Sequence, residues 1–155
     1  MNRVIKPIQF IPNNLALVFL AGSIEMGTAE LWQDKITNAL AGTGWTFLNP
    51  RRDDWDSTWE QSISNVKFYE QVNWELQGIE EAEHIIIYFD PNTKSPISLL
   101  ELGFVAGKFP EKAIVICPDG FWRKGNVDIV CERYKMKQVK TIENAIELLK
   151  EKMYL

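Results

Sequence analysis

Histidine and cysteine are scarce in this chain, and the scarcity excludes whole classes of chemistry. His84 is the only histidine, and Cys117 and Cys131 are the only cysteines. No Cys-x-x-Cys pair exists, so these residues cannot assemble a zinc site, and no metal or cofactor is expected. Two cysteines do not make a disulfide scaffold, which fits a reducing compartment. No stretch approaches the about 20 apolar residues of a membrane span. The first residues also lack a signal peptide's basic start, apolar run and small-residue cleavage site. A cytoplasmic protein without a membrane partner is expected. Basic charge is not in excess either. Seventeen Lys and Arg against 21 Asp and Glu leave a net charge of −4, which argues against a nucleic-acid polymer as partner. Neither the dinucleotide nor the Walker glycine spacing occurs.

What the chain does contain is an alternation of apolar runs and amphipathic stretches. Its 155 residues suit one domain. Residues 1–14, interrupted by Pro7 and Pro12, read as an irregular lead-in, and the domain proper runs from 15 to 155. Apolar runs at Leu15–Ala21, Trp45–Leu48, His84–Phe89 and Ala113–Cys117, with a weaker one at Met136–Val139, read as strands covered on both faces. Between them lie helical patterns. Thr28 caps a helix with Trp32, Ile36, Ala39 and Leu40 inward. A long one carries Ile63, Val66, Tyr69, Val72, Leu76 and Ile79 at three- and four-residue spacing. Ser98 caps a short helix over Leu99–Ala106, ended by Gly107. Thr141 caps a last helix with Ile142, Ala145, Ile146 and Leu149 inward. The pattern predicts a single flavodoxin-like, three-layer α/β domain: a parallel five-stranded sheet of order 2-1-3-4-5 with helices on both faces. In such sheets ligands bind beyond the carboxyl ends of the strands, at the switch point. Gly22-Ser23, the loop from Asp90 to Ser98 and the loop after the fourth strand should therefore share one pocket. The loop Asn49–Trp59 should wall it.

Glu101 stands out in the apolar surroundings of Ser98-Leu-Leu-Glu-Leu-Gly103. In the first turn of a helix, the backbone N–H groups and the helix dipole would lower its pKa and keep it ionised. Such a carboxylate suits attack on an anomeric carbon. The same four residues also satisfy a capping box, Ser98 with Glu101 three residues on, and the pattern fits both readings. Other candidates are fewer in kind. Gln71 and Glu75 lie one helical turn apart on one face. The loop Arg51-Arg-Asp-Asp-Trp-Asp56 offers Arg52 to a phosphate, Asp54 and Asp56 as acids, and Trp55, with Trp59 beyond it, as a stacking surface. Gly22 and Ser23 let the backbone approach a ligand, or make a plain tight turn. His84 opens an apolar strand and reads as structural.

The segments Val18-Phe-Leu-Ala-Gly-Ser23 and Leu99-Leu-Glu-Leu-Gly103, with Asn73-Trp-Glu-Leu-Gln-Gly-Ile79 between them, resemble the nucleoside 2-deoxyribosyltransferase family and its N-glycohydrolase relatives. The Arg-Arg-Asp-Asp-Trp-Asp loop and the Gln-x-x-Trp-Glu helix look more like the divergent branch called nucleoside 2-deoxyribosyltransferase-like than like the transferases themselves. The resemblance implies cleavage or transfer of the N-glycosidic bond of a nucleoside or nucleotide by a retaining double displacement. Glu101 matches the nucleophile of that family. Glu75 matches an acidic residue that contacts the substrate. Asn126 matches an asparagine lent by a neighbouring subunit, which implies a homo-oligomer with shared active sites. Two positions depart from the family pattern. Phe19 stands where a tyrosine hydroxyl orients the nucleophile, and it cannot donate a hydrogen bond. Ser95 stands where an aspartate handles the leaving base. With Ser98, it remains a hydrogen-bonding candidate for the substrate. Three alternatives accompany this reading: a 5′-monophosphate N-glycosidase, with the arginines and Ser23, Ser95 or Ser98 as phosphate donors; an NAD-cleaving glycohydrolase; and a nucleotide-binding sensor domain without catalysis.

Overall fold

Strands alternating with helices leave parallel pairing as the only short connection, and the chain takes it throughout. A computed structural model describes residues 3–24, 31–52 and 58–153. Within them the strands β1 (Arg3–Ile5), β2 (Leu17–Gly22), β3 (Thr46–Leu48), β4 (His84–Tyr88), β5 (Ala113–Ile116) and β6 (Lys137–Val139) form one sheet of order β1-β3-β2-β4-β5-β6. Every pairing is parallel. The helices are α1 (Trp32–Ala39), α2 (Val66–Glu81), α3 (Pro96–Lys108), α4 (Lys124–Tyr134) and α5 (Ile142–Met153).

The expected order survives as β3-β2-β4-β5-β6, and a sixth strand extends it. Arg3–Ile5 pairs with Thr46–Leu48 at the sheet edge, so the lead-in is not wholly irregular. Pro7 and Pro12 do not prevent this, because the strand ends before either ring. A helix that the periodicity did not reveal, α4, follows the loop after β5. Its mixed face buries only Val127 and Cys131, too little apolar repetition to announce it.

The period-2 alternation of the strands sorts the core into two layers. Phe19, Ile85, Ile87 and Val115 face α2, α3 and α4, together with Trp74, Leu102, Val105 and Val127. Val18, Leu20, Ile86, Ile114 and Ile116 face α1 and α5, with Trp32, Ile36, Ile146 and Leu149. Thr141 caps α5 as expected, its hydroxyl accepting from Asn144 N at 3.1 Å. Thr28 lies outside the described residues.

Two helices differ from the sequence pattern in ways that matter for the site. Most of the periodic apolar stripe of α2 does not face the sheet; Ile79 does. Val66 is 68% exposed, and Tyr69 and Leu76 are also open to solvent, while Gln71, Trp74, Gly78 and Ile79 are buried. The reason is steric. A Cβ on Gly78 would come within 2.6 Å of the Phe19 ring, so only glycine lets α2 settle that closely on β2. Trp74 then packs beside Phe19, ring centroids 6.2 Å apart. Ile63 precedes the helix, whose cap is Asn65, accepting from Phe68 N at 3.0 Å. The second difference is in α3, which begins at Pro96 with Ser95 as its cap, in a left-handed conformation (φ 48°). Proline at the first helical position supplies a preset φ and has no N–H to leave unsatisfied. Ser98 is therefore inside the helix, not its cap, and Glu101 sits in the second turn.

Candidate active site

A cavity of about 700 Å³ opens beyond β2 and β3, between α2 and α3. Pro50, Arg51 and Arg52 form one wall. Phe68, Val72 and Leu76 of α2 face Ile97, Leu100 and Phe104 of α3 across it, and Glu75 and Glu101 line its polar part with Gln71. Two residues of the expected stripe of α2, Val72 and Leu76, are thus cleft wall, while Ile79 is core.

Glu101 is 9% exposed. Its position in the second turn removes it from the free N–H groups of the helix start, so the expected lowering of its pKa does not occur. Burial pushes its carboxyl up to about 8, and the nearby Glu75 adds to the rise. Burial likewise lifts Glu75 to about 7, against the hydrogen bond from Gln71, which favours its charged form. Two buried carboxyls that oppose each other's ionisation titrate as a pair. Between about 7 and 8 they hold one proton between them. The capping-box alternative for Glu101 falls with the same observation, because Ser98 is not a cap. Among the described residues, no side chain donates a hydrogen bond to the Glu101 carboxyl, and Phe19 does not replace the missing hydroxyl. It is fully buried under α2.

Glu75 is held firmly. Gln71 Nε2 donates to Glu75 Oε1 at 2.8 Å and to the Pro50 carbonyl at 3.3 Å, while Arg52 Nη1 donates to Gln71 Oε1 at 3.2 Å. The Arg52 guanidinium lies 5.0 Å from the Trp59 ring, with Lys67 at 5.7 Å from the same ring. Arg51 reaches Gln33 at 3.3 Å.

The sequence candidates divide accordingly. Glu101, Glu75, Gln71 and Arg52 meet in one cleft. Asp54, Trp55 and Asp56 lie outside the described residues. Gly22, Ser23, Ser95 and Ser98 do not line the cavity. Gly22 is required by the sheet: at φ 134° its added Cβ would fall 2.4 Å from the Tyr88 carbonyl oxygen. The close approach is to β4, not to a ligand. Ser23 joins Thr93 and Ser95 in a buried triangle of hydroxyls, with separations of 3.0, 2.6 and 2.6 Å, and it also accepts from Asp90 N at 2.8 Å. The triangle ties the loop after β4 to the end of β2 and fixes the start of α3. Asn126 lines a separate cavity of about 310 Å³ with Leu99, Leu102, Gly103 and Arg123, on another face of α3. The loop after β5 contributes nothing to the main cleft, contrary to expectation. Trp122 of that loop donates instead to the Lys94 carbonyl.

Phe68, Leu76, Ile97, Leu100 and Phe104 line the cleft, and nothing in the sequence separates them from core residues. An exposed apolar side chain and a buried one leave the same letter in a sequence. His84 stacks edge-on against Trp45, centroids 5.4 Å apart, far from the cleft in role, and its pKa is lowered by burial and by Lys152 and Lys112. Among the described residues, no group of His, Cys, Asp and Glu could hold a metal ion, and no helix is long and apolar enough to cross a membrane.

A search of curated proteins returns no match. The family model described as nucleoside 2-deoxyribosyltransferase like matches residues 16–121, from β2 through the loop after β5, with both carboxyls inside the match. The chain belongs to the nucleoside 2-deoxyribosyltransferase-like family, whose activity is broadly glycosyl transfer.

Proposed function

We propose that the protein cleaves or transfers the N-glycosidic bond of a nucleoside or nucleotide, with Glu101 as nucleophile and Glu75 as proton donor. The observation that carries this reading is the pair of buried carboxyls on facing helices of one cleft, with titration ranges that leave a single proton between them near neutral pH. Glu101, with the higher midpoint, holds the shared proton at rest, and the reaction proceeds from the tautomer in which that proton sits on Glu75 and Glu101 is ionised. A Glu101 oxygen bonds to C1′, the electron pair of the C1′–N bond passes to the base, and the base takes the Glu75 proton. The glycosyl ester is then opened at C1′ by a second base or by water. The acceptor's proton passes to the Glu75 carboxylate, and Glu101 is released with overall retention. Glu75 thus fills the place left by Ser95, whose hydroxyl is committed to the buried triangle.

The largely apolar walls, Phe68, Val72, Leu76, Leu100 and Phe104, suit a flat base and exclude water, which favours transfer over hydrolysis. They favour an uncharged nucleoside over a 5′-monophosphate, since Arg52 is engaged by Gln71 and Arg51 by Gln33. The reading includes a second copy of the chain over the open rim. Ile97 and Leu100 are 58% and 69% exposed there, and Asn126 lies off the cleft of its own chain, which fits its use by a neighbour. Sedimentation analysis reporting only monomer at micromolar concentration would remove that part.

The functional test is incubation with a panel of nucleosides and their 5′-monophosphates, with free base read by chromatography. Base release from nucleosides is expected, and its loss in Glu101→Ala. A folded Glu101→Ala protein with undiminished release refutes the role of Glu101. Tight binding of a nucleotide without any base release would support the sensor alternative.

A further inference from the structure

We propose that Gln71 and Arg52 are positioning residues that decide which oxygen of Glu75 carries its proton. The inference rests on the role proposed for Glu75 and goes one step further, to the atom.

Gln71 is 3% exposed, so its amide has only protein partners to satisfy. Three surround it: the Arg52 guanidinium, the Pro50 carbonyl and Glu75 Oε1. A guanidinium only donates and a backbone carbonyl only accepts. Those two neighbours therefore admit one orientation of the amide, with Oε1 toward Arg52 and both N–H groups toward Pro50 and Glu75. The flipped amide would set N–H against N–H and oxygen against oxygen. Two fixed neighbours thus lock a third group that could otherwise rotate. Arg52 is itself held from outside by the face of Trp59.

The consequence falls on Glu75. Its Oε1 receives an N–H from Gln71 and so must accept. A proton on that oxygen would confront the Gln71 donor. When Glu75 is protonated, its proton belongs on Oε2, the oxygen left for the cleft. Among the described residues, the charged and titratable groups around Glu75 are Arg52, through Gln71, from the loop after β3; Arg51 on the same loop, paired with Gln33; and Glu101 from α3. Among the described residues, Gln71 is the hydrogen-bond partner of Oε1. A carboxylic acid that can spin between equivalent oxygens would present its proton to the base only part of the time. This one is set in a single aim.

The test uses Gln71→Met, which keeps length and removes the amide, and Arg52→Met, which keeps Gln71 and removes one lock. Each is read by carboxyl carbon NMR titration, with the Glu75 signal assigned by its loss in Glu75→Gln, and by steady-state base release across pH. In Gln71→Met the Glu75 midpoint is expected to rise, because a bond that favours the carboxylate is gone, and the alkaline limb of kcat should move with it. In both variants kcat is expected to fall about tenfold, with KM within about twofold, as misorientation of a donor predicts. An unmoved Glu75 midpoint in folded Gln71→Met overturns the proposal, as does an Arg52→Met protein that raises KM at constant kcat, since Arg52 would then be holding substrate. Should Gln71→Met fail to fold, Arg52→Met, altered only in a half-buried loop residue, carries the kinetic arm. If the wild-type protein releases no base, the titration still tests whether Gln71 holds the Glu75 carboxylate, so the two ideas fail separately.

Discussion

Replacing Glu101 by Gln should abolish base release and stabilise the fold, and the second effect has a pH dependence that can be worked out. A carboxyl whose folded-state pKa lies above its unfolded value binds more protons folded than unfolded. Its contribution to stability is greatest below the unfolded value, and it is lost as pH rises through the folded one. For Glu101 the window runs from 4.5 to about 8. At about 1.4 kcal/mol per pH unit, the cost of ionising it in place is bounded at roughly 5 kcal/mol by pH 9. Glutamine has nearly the same shape and no charge to strip of water, so the variant escapes that cost. For a domain near this size, 1 kcal/mol moves Tm by about 2–4 °C. Even half the bound is then a gain of about 5–10 °C at pH 9, shrinking to nearly nothing at pH 5. The measurement is a thermal melt of wild type and Glu101→Gln at half-unit steps from pH 5 to 9. Parallel Tm curves across that range would refute the claim that this carboxyl is buried at a cost, and with it the paired-proton account of the site.

Three further outcomes follow from the same geometry. Glu75→Gln should lower the Glu101 midpoint below about 8 without returning it to 4.5, since burial is the larger cause and Glu75 the smaller; base release should fall about 100-fold, the ordinary worth of a general acid, with both effects read by carbon NMR and base chromatography. Gly78→Ala should destabilise by about 1–3 kcal/mol in urea denaturation, because its Cβ would press on the Phe19 ring at 2.6 Å. Ser23→Ala should cost about 1–3 kcal/mol by the same assay, as the Asp90 N–H and the Thr93–Ser95 pair lose their shared oxygen in a buried site.

The sequence determined the layers. Continuous apolar runs at Leu15–Ala21, His84–Phe89 and Ala113–Cys117 suit a sheet covered on both faces, and the helical patterns between them favour parallel pairing. It also singled out Glu101 and Glu75, because a carboxylate among leucines and an acid beside a tryptophan are visible as letters. Tertiary structure decided what those letters mean. Whether a stripe such as Phe68, Val72 and Leu76 is core or cleft depends on which face of α2 meets the sheet, and Gly78 settled that through one contact with Phe19. Whether Glu101 is ionised near neutrality depends on the turn it occupies, and Pro96 with Ser95 began α3 a few residues earlier than the capping pattern suggested. That shift took Glu101 away from the helix dipole and left burial to govern its proton. Strand β1 and helix α4 were illegible for a related reason: each draws its order from neighbours already in place, and too little from its own residues.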